Sequence, residues 1–400
     1  MTGARTSTDL ASTVDLLTGF PFKSSSYCGP DEGVRLVRGD NVMQRGIRWD
    51  GAKHWPSSLT GEFGKYRLMS GDVVLAMDRP WIEAGLKVAE IRAGDAPSLL
   101  VQRVARLRTR DPGLRQDYLK WLLYTPAFTQ HVLSVQTGTA VPHISGGQIL
   151  SFKFELPDLD EQRRIAGVLG AFDDLIDTNR DLVERMECLL ASTFEVEGFD
   201  SNSGDGLLRD VISVNPFYPK PSGVAPYIDM AALPTQGARV SSVGARKAAG
   251  GARFSVGDTL LARITPCLEN GKTAFVDSLD TDEVGVGSTE FIVLRDRTAL
   301  SQHWPYFLAR SERFRSYAIR HMTGTSGRQR CPAEAVARYP LAVPDRESLE
   351  RFERLAEPLF IAMRQLDDES AELARTRDEL LPLLMSGRVT VDEAWEAVPA

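Results

Sequence analysis

Two stretches of the chain carry apolar residues at helical spacing. In the first, Ile165, Val168, Leu169, Phe172, Ile176, Val183, Met186, Leu190 and Phe194 recur three, four or seven positions apart, the seam of a helix that packs along another helix. Phe352, Leu355, Leu359, Met363, Leu366, Leu373, Leu380 and Leu384 repeat that seam later in the chain. Asp160 is the expected N-cap of the first helix. Pro358 predicts a kink or interruption in the first turns of the second, because it removes a backbone donor, and Gly387 supplies a stop. A helix polar outside one narrow stripe needs a partner, and the nearest is its own repeat. Two such helices of about 30 residues would form an antiparallel pair about 45 Å long at ~1.5 Å per residue.

Before each helix lies a block with a different pattern. Asp72 to Met77 and Asp258 to Arg263 read as buried strands opened by a Gly-Asp turn. Val101 to Leu107 and Glu290 to Leu294 read as further strands, and Asp117 to Leu133 and His303 to Ile319 as helices. The blocks repeat one another. Gly71-Asp72 recurs as Gly257-Asp258, Tyr118 as Trp304, Trp121 as Phe307, Leu122 as Leu308 and Phe128 as Phe314. Thr137-Gly138-Thr139 recurs as Thr323-Gly324-Thr325 and, after one inserted residue, Pro157-Asp158 as Pro344-Asp345. An ordered series at one offset marks a tandem repeat. The expected organisation is α+β: two mixed α/β blocks at 1–157 and 201–344, and two long antiparallel coiled-coil helices at 158–200 and 345–400, with pseudo-two-fold symmetry.

Charge sharpens that division. Basic side chains outnumber acidic ones 19 to 15 in 1–157 and 17 to 13 in 201–344, whereas acids lead 12 to 4 in 158–200 and 14 to 7 in 345–400. The net charge of −7 therefore hides two basic blocks between two acidic helices. Composition, 42% apolar and 25% charged, excludes a mostly disordered chain. No apolar run reaches the ~18 residues of a membrane span, and Met1 to Leu10 lacks the order of a secretory signal. Cys28, Cys188, Cys267 and Cys331 stand far apart, which fits reduced thiols in a cytoplasm.

The search for catalytic chemistry returns little. His54, His131, His143, His303 and His321 have no metal-ligand spacing, and there is no P-loop, dinucleotide fingerprint or Gly-x-Ser-x-Gly elbow. Asn215-Pro216-Phe217-Tyr218 is similar to the tetrad with which adenine methyltransferases hold their target amine, but it has Phe in place of the second Pro and no cofactor-binding strand–loop–helix before it. A turn at the start of the second block is the expected reading. Pro157-Asp158 and Pro344-Asp345 lack the Asp/Glu-x-Lys of a metal-dependent nuclease and read as strand ends entering the helices. The basic blocks offer different chemistry, since Arg and Lys pair with phosphate or guanine and Asn and Gln with adenine. The candidate DNA-binding set in the first block is Lys23, Arg38 and Asn41, from the stretches Phe22 to Ser26, Arg35 to Arg38 with Asn41, and Arg45 to Arg48, together with Arg79. In the second it is Arg263, Thr265, Lys272, Arg328, Gln329 and Arg330, with Glu269, Asn270 and the loop from Ser326 nearby.

Over essentially its whole length the chain resembles the specificity subunit of type I restriction-modification systems. The resemblance rests on Gly71-Asp72-Val-Val-Leu-Ala, on Gly257-Asp258 through Asn270-Gly-Lys272, on Leu156-Pro157 with Glu161-Gln162 and Ile165, and on Leu380-Leu-Pro382 to Gly387. The second helix lacks the Glu-Gln pair, so the contacts of Glu161 and Gln162 need not be duplicated. The resemblance implies two target-recognition domains, each reading half of a bipartite DNA site, with the helix pair as a ruler. It implies no catalysis in this chain: two methyltransferase subunits using S-adenosylmethionine, and a restriction/translocase subunit using ATP and Mg, would be the partners. Alternatives are a self-contained adenine methyltransferase and a coiled-coil scaffold without DNA binding.

Overall fold

Each Gly-Asp pair opens a strand whose four residues, Val73–Ala76 or Thr259–Ala262, are all buried. In the computed structural model, which describes residues 5–138, 140–201, 206–248, 250–325 and 327–396, the reason for the pair is visible. Gly71 and Gly257 have φ near +89° and +85°, a region that favours glycine. The next residue turns its carboxylate inward: Asp72 accepts the Met69 N–H and Asp258 the Ser255 N–H, both at 2.8 Å. Arg108 and Arg295, from the neighbouring strand, donate to those carboxylates at 2.7 and 2.6 Å. The motif is a turn plus a buried ion pair. Readings at Met1, Thr139 and Ser326 lie outside the described residues.

The chain divides into one unit of Met1–Ile176 with Glu372–Ala400 and a second of Asp177–Ala371, so each long helix contributes to both. The same three sheets occur in each unit. In the first, an antiparallel sheet runs in the order Val14–Thr18, Val104–Thr109, Val73–Ala76, Val88–Glu90. Beside it a mixed sheet runs His54–Pro56, Gly33–Val37, Ser98–Leu100, Arg67–Leu68, its middle pair parallel. In the second unit the antiparallel order is Ile212–Val214, Phe291–Asp296, Thr259–Ala262, Thr273–Phe275. Its mixed sheet is Gly244–Lys247, Val224–Ile228, Gly285–Gly287, Ala252–Phe254, again with a parallel middle pair. Thr6–Asp9 with Lys153–Leu156, and Gly206–Leu207 with Pro340–Leu341, close the two blocks.

Several local expectations need correction. The stretches 117–133 and 303–319 are each two helices, not one: Gln116–Tyr124 and Pro126–Val135, then Trp304–Arg310 and Glu312–Arg320. Thr125 and Ser311 restart them by accepting the Phe128 and Phe314 N–H groups at 3.2 Å. The long helices are Leu159–Val196 and Arg346–Ser386, 38 and 41 residues, longer than the seams alone indicate. Asp158, not Asp160, caps the first by accepting the Glu161 N–H at 2.8 Å, and Asp345 caps the second through Ser348 at 2.9 Å. Helix two continues through Pro358 without interruption. It ends where expected, with Gly387 at φ +71°.

Within the first unit, Ile165 and Leu169 share a core with Leu381 and Leu384. Phe172 and Ile176 are buried, and Arg377 donates to Asp173. Within the second unit, Leu190 and Phe194 share a core with Phe352, Ala356, Phe360 and Met363. Asn179 donates to Glu369 at 2.9 Å and Glu197 pairs with Arg351 at 2.7 Å. Contacts advance along one helix as they retreat along the other, so the helices are antiparallel. Leu355 and Leu359 pack half-buried beside that core, and Leu366 and Leu373 are half-buried. The fully buried stripe thus runs through Ala356 and Phe360 rather than the leucines beside them.

Candidate nucleic-acid interface

The same strand exit forms a cleft in each unit. After Val14–Thr18 the Gly19 N–H bonds the Val104 carbonyl at 3.1 Å; after Ile212–Val214 the Asn215 N–H bonds the Val293 carbonyl at 2.7 Å. Just beyond these strands an aromatic ring lines each cleft, Phe22 in the first unit and Tyr218 in the second. The first cleft, of about 500 Å³, also holds Tyr27, Arg38, Arg79, Lys87 and Arg103. The second, of about 440 Å³, holds Arg253, Arg263, Thr289 and Phe291. Both combine cations with aromatic rings, the mixture that tracks phosphates and stacks on bases.

Among the proposed readers of the first block, Lys23 is exposed next to Phe22. Arg38 lies in the cleft, 3.4 Å from Asp40. Arg79 is exposed at φ +46°, held by its N–H to the Pro142 carbonyl at 2.7 Å, and its guanidinium has no ion pair among the described residues. Asn41 must be reassigned. It is 6% exposed, accepts the Arg38 N–H at 2.8 Å and donates to the Leu36 carbonyl at 3.0 Å, so it shapes the turn and has no free edge for a base. Arg35, Arg45 and Arg48 are likewise held within the fold, by the Gly94 carbonyl, Asp378 and the Asp40 carbonyl.

In the second block the proposed set separates. Arg263 lies in the cleft, its Nε buried without a partner among the described residues. Thr265 donates to Glu269 at 3.0 Å, and its N–H holds the Gln329 carbonyl at 3.0 Å. Arg330 is clamped on Glu290 by three bonds of 2.7 to 2.9 Å. Arg328 is exposed and Gln329 half-buried on the hairpin closed by Thr323 and Arg330. Lys272 donates to the Met230 carbonyl at 2.7 Å.

Sequence reasoning overlooked Lys87, Arg103 and Arg253. Lys87 is the counterpart of Lys272: each precedes the last strand of its antiparallel sheet, and its carbonyl accepts the N–H of Ala76 or Ala262 at 3.0 Å. Burial lowers the Lys87 pKa. Arg103 has φ +69°, so with Arg79 two cations of one cleft sit in left-handed backbone, a conformation that clusters at functional sites. The Asn215 tetrad is a turn, as expected: the side-chain carbonyl of Asn215 accepts the Val293 N–H at 2.9 Å and is not free for an amine. No group of three or more His, Cys, Asp or Glu among the described residues is placed to hold a metal.

Residues 39–187 match the type I restriction modification DNA specificity domain. Over 178 residues the chain is 32% identical to the MjaVIII specificity subunit of Methanocaldococcus jannaschii, covering 44% of this chain and 41% of that protein. Over 171 residues it is 34% identical to the EcoAI specificity subunit of Escherichia coli, covering 42% of this chain and 28% of the other. The alignments thus span less than half of these relatives. The fold is similar to that of the type I restriction-modification S subunit from M. genitalium, with a TM-score of 0.52 at 14% identity over 96% of both chains. With that domain matched at residues 39–187 and that fold along its length, the chain is similar to the specificity subunits of type I restriction-modification systems.

Proposed function

We propose that this chain is the DNA-reading subunit of a type I restriction-modification complex and makes or breaks no bond itself. The observation that carries this reading is a cleft in each unit lined by a cation, Arg79 in the first and Arg263 in the second, that has no ion-pair partner among the described residues. Each unit would read half of a bipartite site, phosphate contacts setting register and side chains reading base edges. The helix pair would fix the unread spacer between the halves.

The acidic helices repel phosphate and are better suited to protein. Their exposed side supports this: Leu175, Leu182, Leu189 and Val196 recur every seven residues along the first helix and are 51%, 40%, 51% and 87% exposed. This second stripe lies one position before Ile176, Val183 and Leu190 and was overlooked in favour of the seam. Two methyltransferase subunits and a restriction/translocase subunit are the proposed partners, carrying S-adenosylmethionine, ATP and Mg. No helix among the described residues is long and apolar enough to cross a membrane, and a cytoplasmic location suits four free thiols.

Single-molecule sequencing of genomic DNA from the source cell, with and without this gene, tests the reading. Methylated adenines in two short blocks at a fixed gap, lost on deletion, are expected. An unchanged methylation pattern would overturn it. Tight binding of S-adenosylmethionine to the isolated chain would favour the self-contained methyltransferase instead.

A further inference from the structure

Phe217 is 89% exposed, an unusual position for a large apolar ring on a chain with cores for its others. The ring is also held in place. Asn215, at φ +52°, is tied to Val293 through both its backbone N–H and its side-chain carbonyl. Tyr218 donates its hydroxyl to Asp258 at 3.1 Å, and its carbonyl accepts from Arg253. Pro216 and Pro219 restrict the backbone on either side. Phe217 thus stands between two anchored neighbours at the cleft that holds the unpartnered Arg263 Nε. A floppy exposed ring would fold onto the surface; this one is presented.

We infer that Phe217 is a wedge that enters the base stack of the half-site read by the second unit, an inference that rests on the DNA-reading function proposed above. A base step fits better than an apolar protein partner, because the cleft at the ring sets two cations, Arg253 and Arg263, and the polar Asn215 and Thr289 beside its apolar lining of Ala252, Phe291 and Val293. An aromatic face beside cations is the combination that meets a base and its phosphate. The first unit has no such device. The equivalent strands pair Asp15 with Arg108 and Ser213 with Arg295, so the position of Phe217 is taken there by Gly19, which has no side chain, and the nearby rings of Phe20 and Phe22 pack against Phe63. The deformation therefore belongs to one half-site only.

The test uses the full chain and the duplexes it retains from a randomised pool, with 2-aminopurine placed at successive purines. Wild type is expected to raise fluorescence severalfold at one step of one half-site and at none of the other. Phe217→Ala should abolish the rise and weaken binding about tenfold or more, as loss of one stacked base does, while leaving the salt dependence unchanged. Phe217→Trp should retain the rise. Because the side chain is exposed, thermal melting of Phe217→Ala should match wild type. Retained duplexes with no fluorescent step, or with the same step and affinity in Phe217→Ala, would overturn the wedge and leave DNA reading standing. Failure to retain any duplex would overturn both.

Discussion

The Lys272 ammonium donates to the Met230 carbonyl at 2.7 Å, and Lys87 makes the same bond to Gly39 in the other unit. Met230 and Gly39 each lie two residues beyond the inner strand of the mixed sheet, Val224–Ile228 or Gly33–Val37. The lysine thus ties the antiparallel sheet to the loop leaving the mixed one. Its repetition is a property of the fold, which changes what its charge is for.

Lys272→Met should therefore lower stability, by about 1–3 kcal/mol for the Met230 carbonyl left without its donor, with little change in the salt dependence of duplex binding. Arg263→Ala should do the reverse, reducing the slope of log affinity against log salt by about one while the melting temperature holds. Melting curves and salt titrations on the two variants decide the matter; a lost slope with Lys272→Met would return that lysine to the DNA surface.

Glu353, on the second long helix, accepts from Ser301 at 2.6 Å and contacts His303 Nδ1 at 2.9 Å. Burial pushes its pKa up, but the bonds to His303 and Ser301 outweigh burial and hold it below the ordinary value of 4.5. A depressed carboxylate stabilises the fold above its unfolded pKa and loses that contribution as pH falls through its folded pKa. Glu353→Gln should cost about 1–3 kcal/mol at neutral pH, and the gap from wild type should close as the pH drops below 4.5. A gap independent of pH would contradict the assignment.

Thiol labelling should discriminate sharply. Cys188 is exposed, whereas Cys331 is buried and its pKa pushed up to about 11 by burial, against a smaller opposing pull from Arg263. At pH 8 iodoacetamide is expected to modify Cys188 readily and Cys331 only under denaturant. Comparable rates for both would show that the second unit opens in the native state.

Leu182→Lys with Leu189→Lys places charge on the exposed stripe, away from the half-buried Val183 and buried Leu190 side of the helix. Co-purification with methyltransferase subunits should be lost while duplex binding by the chain stays within about twofold, taking surface changes as near-neutral for the fold. Retained assembly would locate the partners elsewhere.

Much of this was legible in the residues. The Gly-Asp pairs, the seam of Ile165, Leu169, Phe172 and Ile176, and the tandem offset are periodic signals, and periodicity survives without coordinates. The helix ends were less readable, because Asp158 and Asp160 are equally good caps on paper and only the Glu161 N–H decides between them. Pro358 misled because a proline on an exposed helix face removes one hydrogen bond without ending the helix. The site was least legible. Asn41, Lys272 and Arg330 have the chemistry of DNA readers, yet their partners are Leu36, Met230 and Glu290, all distant enough in sequence or generic enough that composition cannot announce them. Phe217 carried the opposite error: it reads as a spoiled catalytic tetrad, and its exposure emerges only once Asn215 and Tyr218 are seen to be anchored.

The most direct test of the whole account is selection of duplexes from a randomised pool by the full chain and by a variant with one heptad inserted in each long helix. Seven residues lengthen a helix by about 10 Å at ~1.5 Å per residue, or roughly 3 base pairs at ~3.4 Å each. Two short blocks around an unread gap are predicted for wild type, with the same blocks and a gap about 3 base pairs longer for the variant. One continuous block, or a gap that does not change, would contradict it.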